Sequence, residues 1–310
     1  YISNNIGARD SVDYNNNFPD DSIIALGDSF IEGFGVDQKE IFTAKLEKYT
    51  GRKVFNLGSA LQFGPLQYYL VYKHIGVNLP HKTVILALLP GNDFKDNDNR
   101  AADSKLGINY TDNKFFRRPR YRPYYDVNNS KENYPIIYPR NAIKRTKMGR
   151  YGLHKFIASQ SIRLNIVRLY KNISILQRES KYVSQYNPEE ITPHYISSEK
   201  QQDAAIFYIK KTYELAKSNG VTNFIVLSIP TMPDLLLASK MGSKREIPYW
   251  ENKLIQFSKD NNDFQYIDGL LISEMLKEKD NYKSLFLPCD GHWSSTGSSL
   301  SAKLVNKFLK

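Results

Sequence analysis

Residues 22–34 read Ser22-Ile23-Ile24-Ala25-Leu26-Gly27-Asp28-Ser29-Phe30-Ile31-Glu32-Gly33-Phe34. The run Ile23 to Leu26 is short, apolar and partly β-branched, which suits a strand buried on both faces. Gly27 permits a tight turn, and Asp28 and Ser29 fall where that strand hands over to a helix. A hydroxyl in that place stands at the carboxyl end of a buried strand and at a helix N-terminus. Open α/β sheets bind ligands along that edge, and the helix end favours developing negative charge. The ordinary alternative is an N-cap, because Asp or Ser opening a helix needs no chemistry. The stretch alone favours the cap.

The neighbouring sequence repeats the pattern. Ile41, Phe42, Leu46 and Tyr49 fall at helical spacing, with Gly51 as a C-terminal stop. Lys53 to Gly58 reads as a second strand ending in Asn56-Leu57-Gly58, and Pro65 opens a helix through Tyr69, Leu70 and Tyr72 towards Gly76. Thr83 to Leu89 is a third buried strand, followed by Pro90-Gly91-Asn92-Asp93. Strand and helix alternating at this spacing predict βαβ units and a parallel sheet. The pattern resumes at Ser198 to Asn219, a helix with Ala205, Ile209, Tyr213 and Ala216 as its inward stripe and Gly220 at its end. A strand over 221–229, a helix over 250–259, a strand over 264–267 and a last helix over 296–309 complete it.

Two stretches fall outside the pattern. Residues 1–21 are polar and Asn-rich and predict an irregular lead-in. Residues 94 to about 196 predict an insertion folded over the ligand edge, rich in Asn, Arg, Tyr and Pro at first. Its second half regains helical character, with Ile162, Ile166, Leu169 and Ile173 in step. A structureless loop of that length inside a domain points to function or disorder, and its aromatics argue against disorder. The expected organisation is a single domain over 1–310, with a core of 22–93 and 198–309.

Composition sets outer bounds. The 310 residues, 41% of them hydrophobic, suffice for a proper core, and no apolar run approaches the ~18 residues of a membrane span. A lone cysteine, Cys289, excludes an internal disulfide framework and a multi-Cys metal site. Neither a metal nor a cofactor is expected. The net charge is +11, and residues 95–155 hold 15 Lys and Arg against 6 Asp and Glu. That local surplus, which includes Arg117, Arg118, Arg120 and Tyr121, fits a patch for an anionic partner as well as it fits a solvated loop. Nucleic acid is not expected, since no recognisable binding motif accompanies the basic residues. The chain starts at Tyr1, not Met, and is expected to be processed or excised from a longer one, with which any signal peptide or membrane anchor would have been lost.

Four polar clusters lie at expected strand ends or just before a helix: Asp28-Ser29, Asn56-Leu57-Gly58, Gly91-Asn92-Asp93 and Asp290-Gly291-His292. In a doubly wound sheet the first three converge on one edge. Serine is inert at its free pKa and needs a neutral imidazole within hydrogen-bond reach. His292 is the candidate base, and Asp290, two residues away, the candidate to hold its tautomer. The Ser29 N–H, the Gly58 N–H and the Asn92 amide are candidate donors to an oxyanion. Asp28 and Asp93 read as buried supports, because a charge there would oppose a forming oxyanion. Each cluster alone is more ordinary as a turn or cap.

Taken together, in this order, the four clusters resemble the blocks of the SGNH (GDSL-like) hydrolase superfamily, which contribute Ser, Gly, Asn and His. The resemblance covers 22–93 and 198–309. It implies a three-layer α/β/α fold on a five-stranded parallel flavodoxin-like sheet, with Ser29 as nucleophile, His292 as base and Asp290 as orienting acid. It also implies an oxyanion hole of Ser29, Gly58 and Asn92. Two spacings depart from the usual form. Glycine directly precedes Asn92, and Asp290 and His292 stand two apart, followed by Trp293. The Asp-x-His-Trp form looks like members that remove or transfer acyl groups on envelope and extracellular polysaccharides. The α/β-hydrolase elbow is excluded, since Ile31 stands where its second glycine belongs.

The expected activity is therefore ester hydrolysis or O-acyl transfer on an acylated, O-acetylated carbohydrate. A lipid or small-molecule esterase is the first alternative, and a non-catalytic module binding an anionic polysaccharide is the second. The expected location is the cell envelope, periplasm or exterior, with the cytoplasm as alternative.

Overall fold

The computed structural model describes residues 2–60, 63–98, 123–128, 134–137, 197–241, 245–276, 281–288 and 291–309. The helix expected within 142–186, the basic residues Arg117, Arg118 and Arg120 with Tyr121, and Asp290 lie outside the described residues.

The centre is a five-stranded sheet of β1 (Ile23–Gly27), β2 (Val54–Gly58), β3 (Thr83–Leu88), β6 (Asn223–Ser228) and β7 (Phe264–Ile267). It is parallel throughout, in the order β2-β1-β3-β6-β7. A separate two-stranded antiparallel pair, β4 (Tyr124–Tyr125) and β5 (Ile136–Ile137), belongs to the insertion. Residues alternate between two cores because the strand period is two. Ile24, Leu26, Val84 and Leu86 pack with Tyr68 and Tyr72 of α3 (Pro65–His74), Ile209 and Tyr213 of α5 (Glu199–Ser218) and Trp250 of α7 (Tyr249–Asp260). Ile23, Ala25, Ile85 and Ala87 pack on the other face with Phe42 and Leu46 of α2 (Phe42–Thr50), Leu235 of α6 (Met232–Met241) and Ala302 and Val305 of α8 (Ser295–Phe308). Two covered faces explain why β1 and β3 are apolar without alternation.

The expected parallel α/β architecture is the one observed, with β3 and β6 ending one residue earlier than expected and β1 one later. The stripe Ala205, Ile209, Tyr213 and Ala216 is buried, Ser198 caps its helix and Gly220 takes a φ of 81° at its end. Tyr125 and Val127 pack with Leu66 of α3 and with Ala204 and Tyr208 of α5, so the described part of the insertion adheres to that face. Residues 2–21 are irregular, as expected, yet Ala8, Arg9 and Tyr14 are buried. Among the described residues no helix is long and apolar enough to cross a membrane.

Candidate active site

The strand order reverses direction between β1 and β3, and in such sheets the crevice beyond the carboxyl ends at that switch is where ligands bind. Ser29 follows β1 there and Asn92 follows β3.

Ser29 is the first residue of α1 (Ser29–Glu32), which is a single four-residue turn. A helix this short supplies little dipole, so the expected help from the helix end reduces to its unpaired N–H groups. The cap is Asp28, whose Oδ1 accepts the Phe30 N–H at 3.0 Å. Ser29 is therefore released from the ordinary capping role. Its Oγ lies 2.7 Å from His292 Nε2, across 263 residues of sequence.

His292 sits on a tight loop between Phe286 and Trp293, which form an antiparallel bridge. The Leu287 N–H donates to the His292 carbonyl at 2.7 Å, the Gly291 N–H to the Leu287 carbonyl at 3.2 Å and the Ser294 N–H to the Leu285 carbonyl at 2.9 Å. Gly291 takes a φ of 76°, the left-handed turn glycine allows, and Trp293 is buried edge-on against Phe30, with centroids 5.2 Å apart. Ser294 then caps α8 by accepting from the N–H groups of Thr296 and Gly297.

Asn92 stands at the N-cap of α4 (Asp93–Asp96), but its side chain makes no capping bond. Its buried Oδ1 has no partner among the described residues, so the amide is not spent on the helix. Gly58 pairs with Gly27 at the level end of β1 and β2. Its N–H donates to Asn56 Oδ1 at 3.1 Å, so it serves an oxyanion only when that acceptor yields. What demands glycine at 58 is α1: a Cβ would lie 2.7 Å from the Ile31 carbonyl carbon and 2.8 Å from Ile31 Cβ.

Behind these groups lies a buried acidic pair. Burial pushes the Asp28 carboxyl up to about 7, against the pull of the Phe30 N–H. Asp93 is fully buried and also raised, first by burial and then by Asp28. It accepts from the Leu89 N–H at 2.9 Å and from the Tyr68 hydroxyl at 3.1 Å. Both carboxyls are supports, as expected, and each holds its proton more tightly than an ordinary carboxyl.

The structure thus brings Ser29 and His292 into contact and sets Gly58 and Asn92 at the ends of the flanking strands. Sequence reasoning missed three neighbours. Phe30 and Phe34 each place a ring 5.0 Å from the imidazole. Arg9, from the lead-in, donates to the carbonyls of Gly33 and Val36 beyond α1. The Gly33-Phe34-Gly35 sequence, an aromatic between two glycines, was the available signal for Phe34. Arg9 had none.

No protein-family model matches the chain, and no curated protein matches it. Solved structures overlap it loosely. One is described as a lipolytic protein of the G-D-S-L family from Desulfitobacterium hafniense, at 13% identity and a TM-score of 0.45 over 92% of this chain and 98% of that one. Another is a GDSL-like lipase from Bacteroides thetaiotaomicron, at 11% identity and 0.41 over 94% and 88%. A member of the lipolytic G-D-S-L family from Veillonella parvula overlaps at 11% identity and 0.41 over 92% and 96%. At such scores the site stands on its own geometry.

Proposed function

We propose that the protein is a serine-dependent acyl-ester hydrolase or O-acyltransferase acting on an acylated, O-acetylated carbohydrate. The observation that carries this reading is the 2.7 Å contact between Ser29 Oγ and His292 Nε2. Chance does not readily set a hydroxyl on a strand-to-helix turn against an imidazole from a loop at the far end of the chain.

The chemistry follows from these atoms. His292 Nε2 takes the Ser29 proton as Oγ attacks the ester carbonyl. The tetrahedral oxyanion accepts from the Ser29 N–H, the Asn92 amide and, once Asn56 releases it, the Gly58 N–H. The imidazolium returns its proton to the departing alkoxide, leaving an acyl-Ser29 ester. Water or a sugar hydroxyl then attacks that ester, giving up its proton to Nε2, and the imidazolium passes a proton to Ser29 Oγ as the acyl–oxygen bond breaks, restoring both groups. Asp290 is proposed to hold the Nδ1 proton, in keeping with the fourth block. Arg117, Arg118, Arg120 and Tyr121 are proposed, on composition alone, to bind a glycan or anionic polymer. The Asp-x-His-Trp form supports a place at the cell envelope, in the periplasm or outside the cell.

The test is turnover of a chromogenic acetyl ester. Ser29→Ala and His292→Ala each are expected to lose at least about 10³-fold in kcat while folding normally. Asn92→Ala is expected to lose about 10²-fold, with little change in KM, because its bond matures in the transition state. A fluorophosphonate probe should label Ser29. Undiminished turnover in both the serine and the histidine variant would refute the reading.

A further inference from the structure

Phe34 is 48% exposed, although its ring lies 5.0 Å from that of His292, at an interplanar angle of 46°. Large apolar side chains at a protein surface are common singly, but this one is displayed in a fixed way. Gly33 and Gly35 on either side take φ values of 84° and 83°. The buried Arg9 guanidinium fastens the loop from below through the Gly33 and Val36 carbonyls. Gly35 rests on Leu287, where a Cβ would meet the leucine side chain. Beyond Gly35 and the half-buried Val36 the chain turns polar, Asp37-Gln38-Lys39-Glu40, and Phe34 is the one large exposed hydrophobic side chain of residues 31–40.

Which half of a substrate meets this ring is set by the proton path. The imidazole returns its proton to the departing alkoxide, so the alcohol half of the ester lies beside His292. The acyl oxygen lies towards the oxyanion donors. The ring that borders His292 from the solvent side therefore borders the alcohol half. A long alkyl alcohol would call for an enclosed apolar trough. A pyranose instead has one face of C–H groups and an edge of hydroxyls, which suits one exposed ring with water around it.

We infer that Phe34 is a specificity-determining residue, a platform on which the sugar ring of the alcohol half stacks. This rests on the proposed esterase reading and deepens it.

The experiment compares a mono-O-acetylated methyl glucoside with ethyl acetate, by released acetate, in the full chain. Phe34→Ala is expected to lower the ratio of kcat/KM for the glucoside to that for ethyl acetate about tenfold, mainly through KM, with Phe34→Tyr restoring it. Binding of the intact glucoside by Ser29→Ala, followed by calorimetry, is expected to weaken by a like factor when Phe34→Ala is added. An unchanged ratio, or equal losses on both esters, would overturn the platform. So would glucoside binding that is absent, or that does not depend on Phe34. Should wild type cleave neither ester while the glucoside still binds through Phe34, the esterase reading fails and the platform stands.

Discussion

Asp28 occupies the position where a cap and a charge make opposite demands. As a cap it needs only an acceptor for the Phe30 N–H, and either Asp or Asn supplies one. As an acid at 2% exposure it loses hydration, which is why its carboxyl is raised to about 7. In the unfolded chain an Asp titrates near ~3.9. The folded state therefore holds this proton more tightly, and its contribution to stability is present at acid pH. It is lost as pH rises from ~4 through about 7, and the loss is constant above that. Asp28→Asn keeps the cap and removes the titration. Urea unfolding is expected to give similar stabilities for the two proteins near pH 4 and a more stable variant at pH 8. A difference of the same size at both values would contradict this. A residual slope in the variant is expected from Asp93, whose shift has the same sign.

At the scale of elements, the clearest prediction concerns the seam between β2 and α1. Gly58→Ala retains the N–H that an oxyanion would use, so a purely catalytic glycine would tolerate the change. The structure instead puts the new methyl against the Ile31 backbone. Overpacking of that kind typically costs about 1–3 kcal/mol, and α1 would shift and carry Ser29 Oγ away from His292. Thermal unfolding and ester turnover are thus expected to fall together, and a normal melting temperature would dismiss the steric argument. The elements legible in the sequence were those whose burial is periodic or complete, such as β1, β3, α5 and α8. The apolar run Met232 to Met241 has no such stripe, and α6 was not foreseen. Likewise β4 and β5, of two residues each, are too short for any pattern. Ser29, Gly58 and Asn92 could be singled out in the sequence because each stands at an element boundary, and His292 because it falls in a short polar stretch just ahead of the α8 cap. Phe34 and Arg9 matter through contacts between distant segments, which local pattern does not carry.

For the whole molecule, the lead-in is the part whose weight is least visible in its composition. β2 is an edge strand, and an uncovered edge is a liability. The Tyr14 hydroxyl accepts the Asn56 N–H of that edge at 2.8 Å and donates to Asp10 at 2.9 Å. Asp10 in turn pairs with Lys53 at 2.9 Å. The Tyr14 ring stands edge-on to Phe55, centroids 4.9 Å apart, and Phe18 does the same at 5.3 Å. Removing residues 1–17 would delete Tyr14 with its packing and uncover part of Phe55, a loss of about 2 kcal/mol of burial for each aromatic. A loss of about 4 kcal/mol is a large share of the 5–15 kcal/mol typical of a domain. The same cut removes Arg9, so the loop bearing Phe34 loses its fastening and Ser29 loses support at the end of α1. The truncated protein is expected to unfold at markedly lower urea and to turn over esters more slowly at temperatures where it is still folded. Arg9→Met alone is expected to reproduce much of the kinetic loss with a smaller loss of stability. A truncated protein with the wild-type midpoint and rate would mean that the strand edge and the nucleophile turn hold themselves in place.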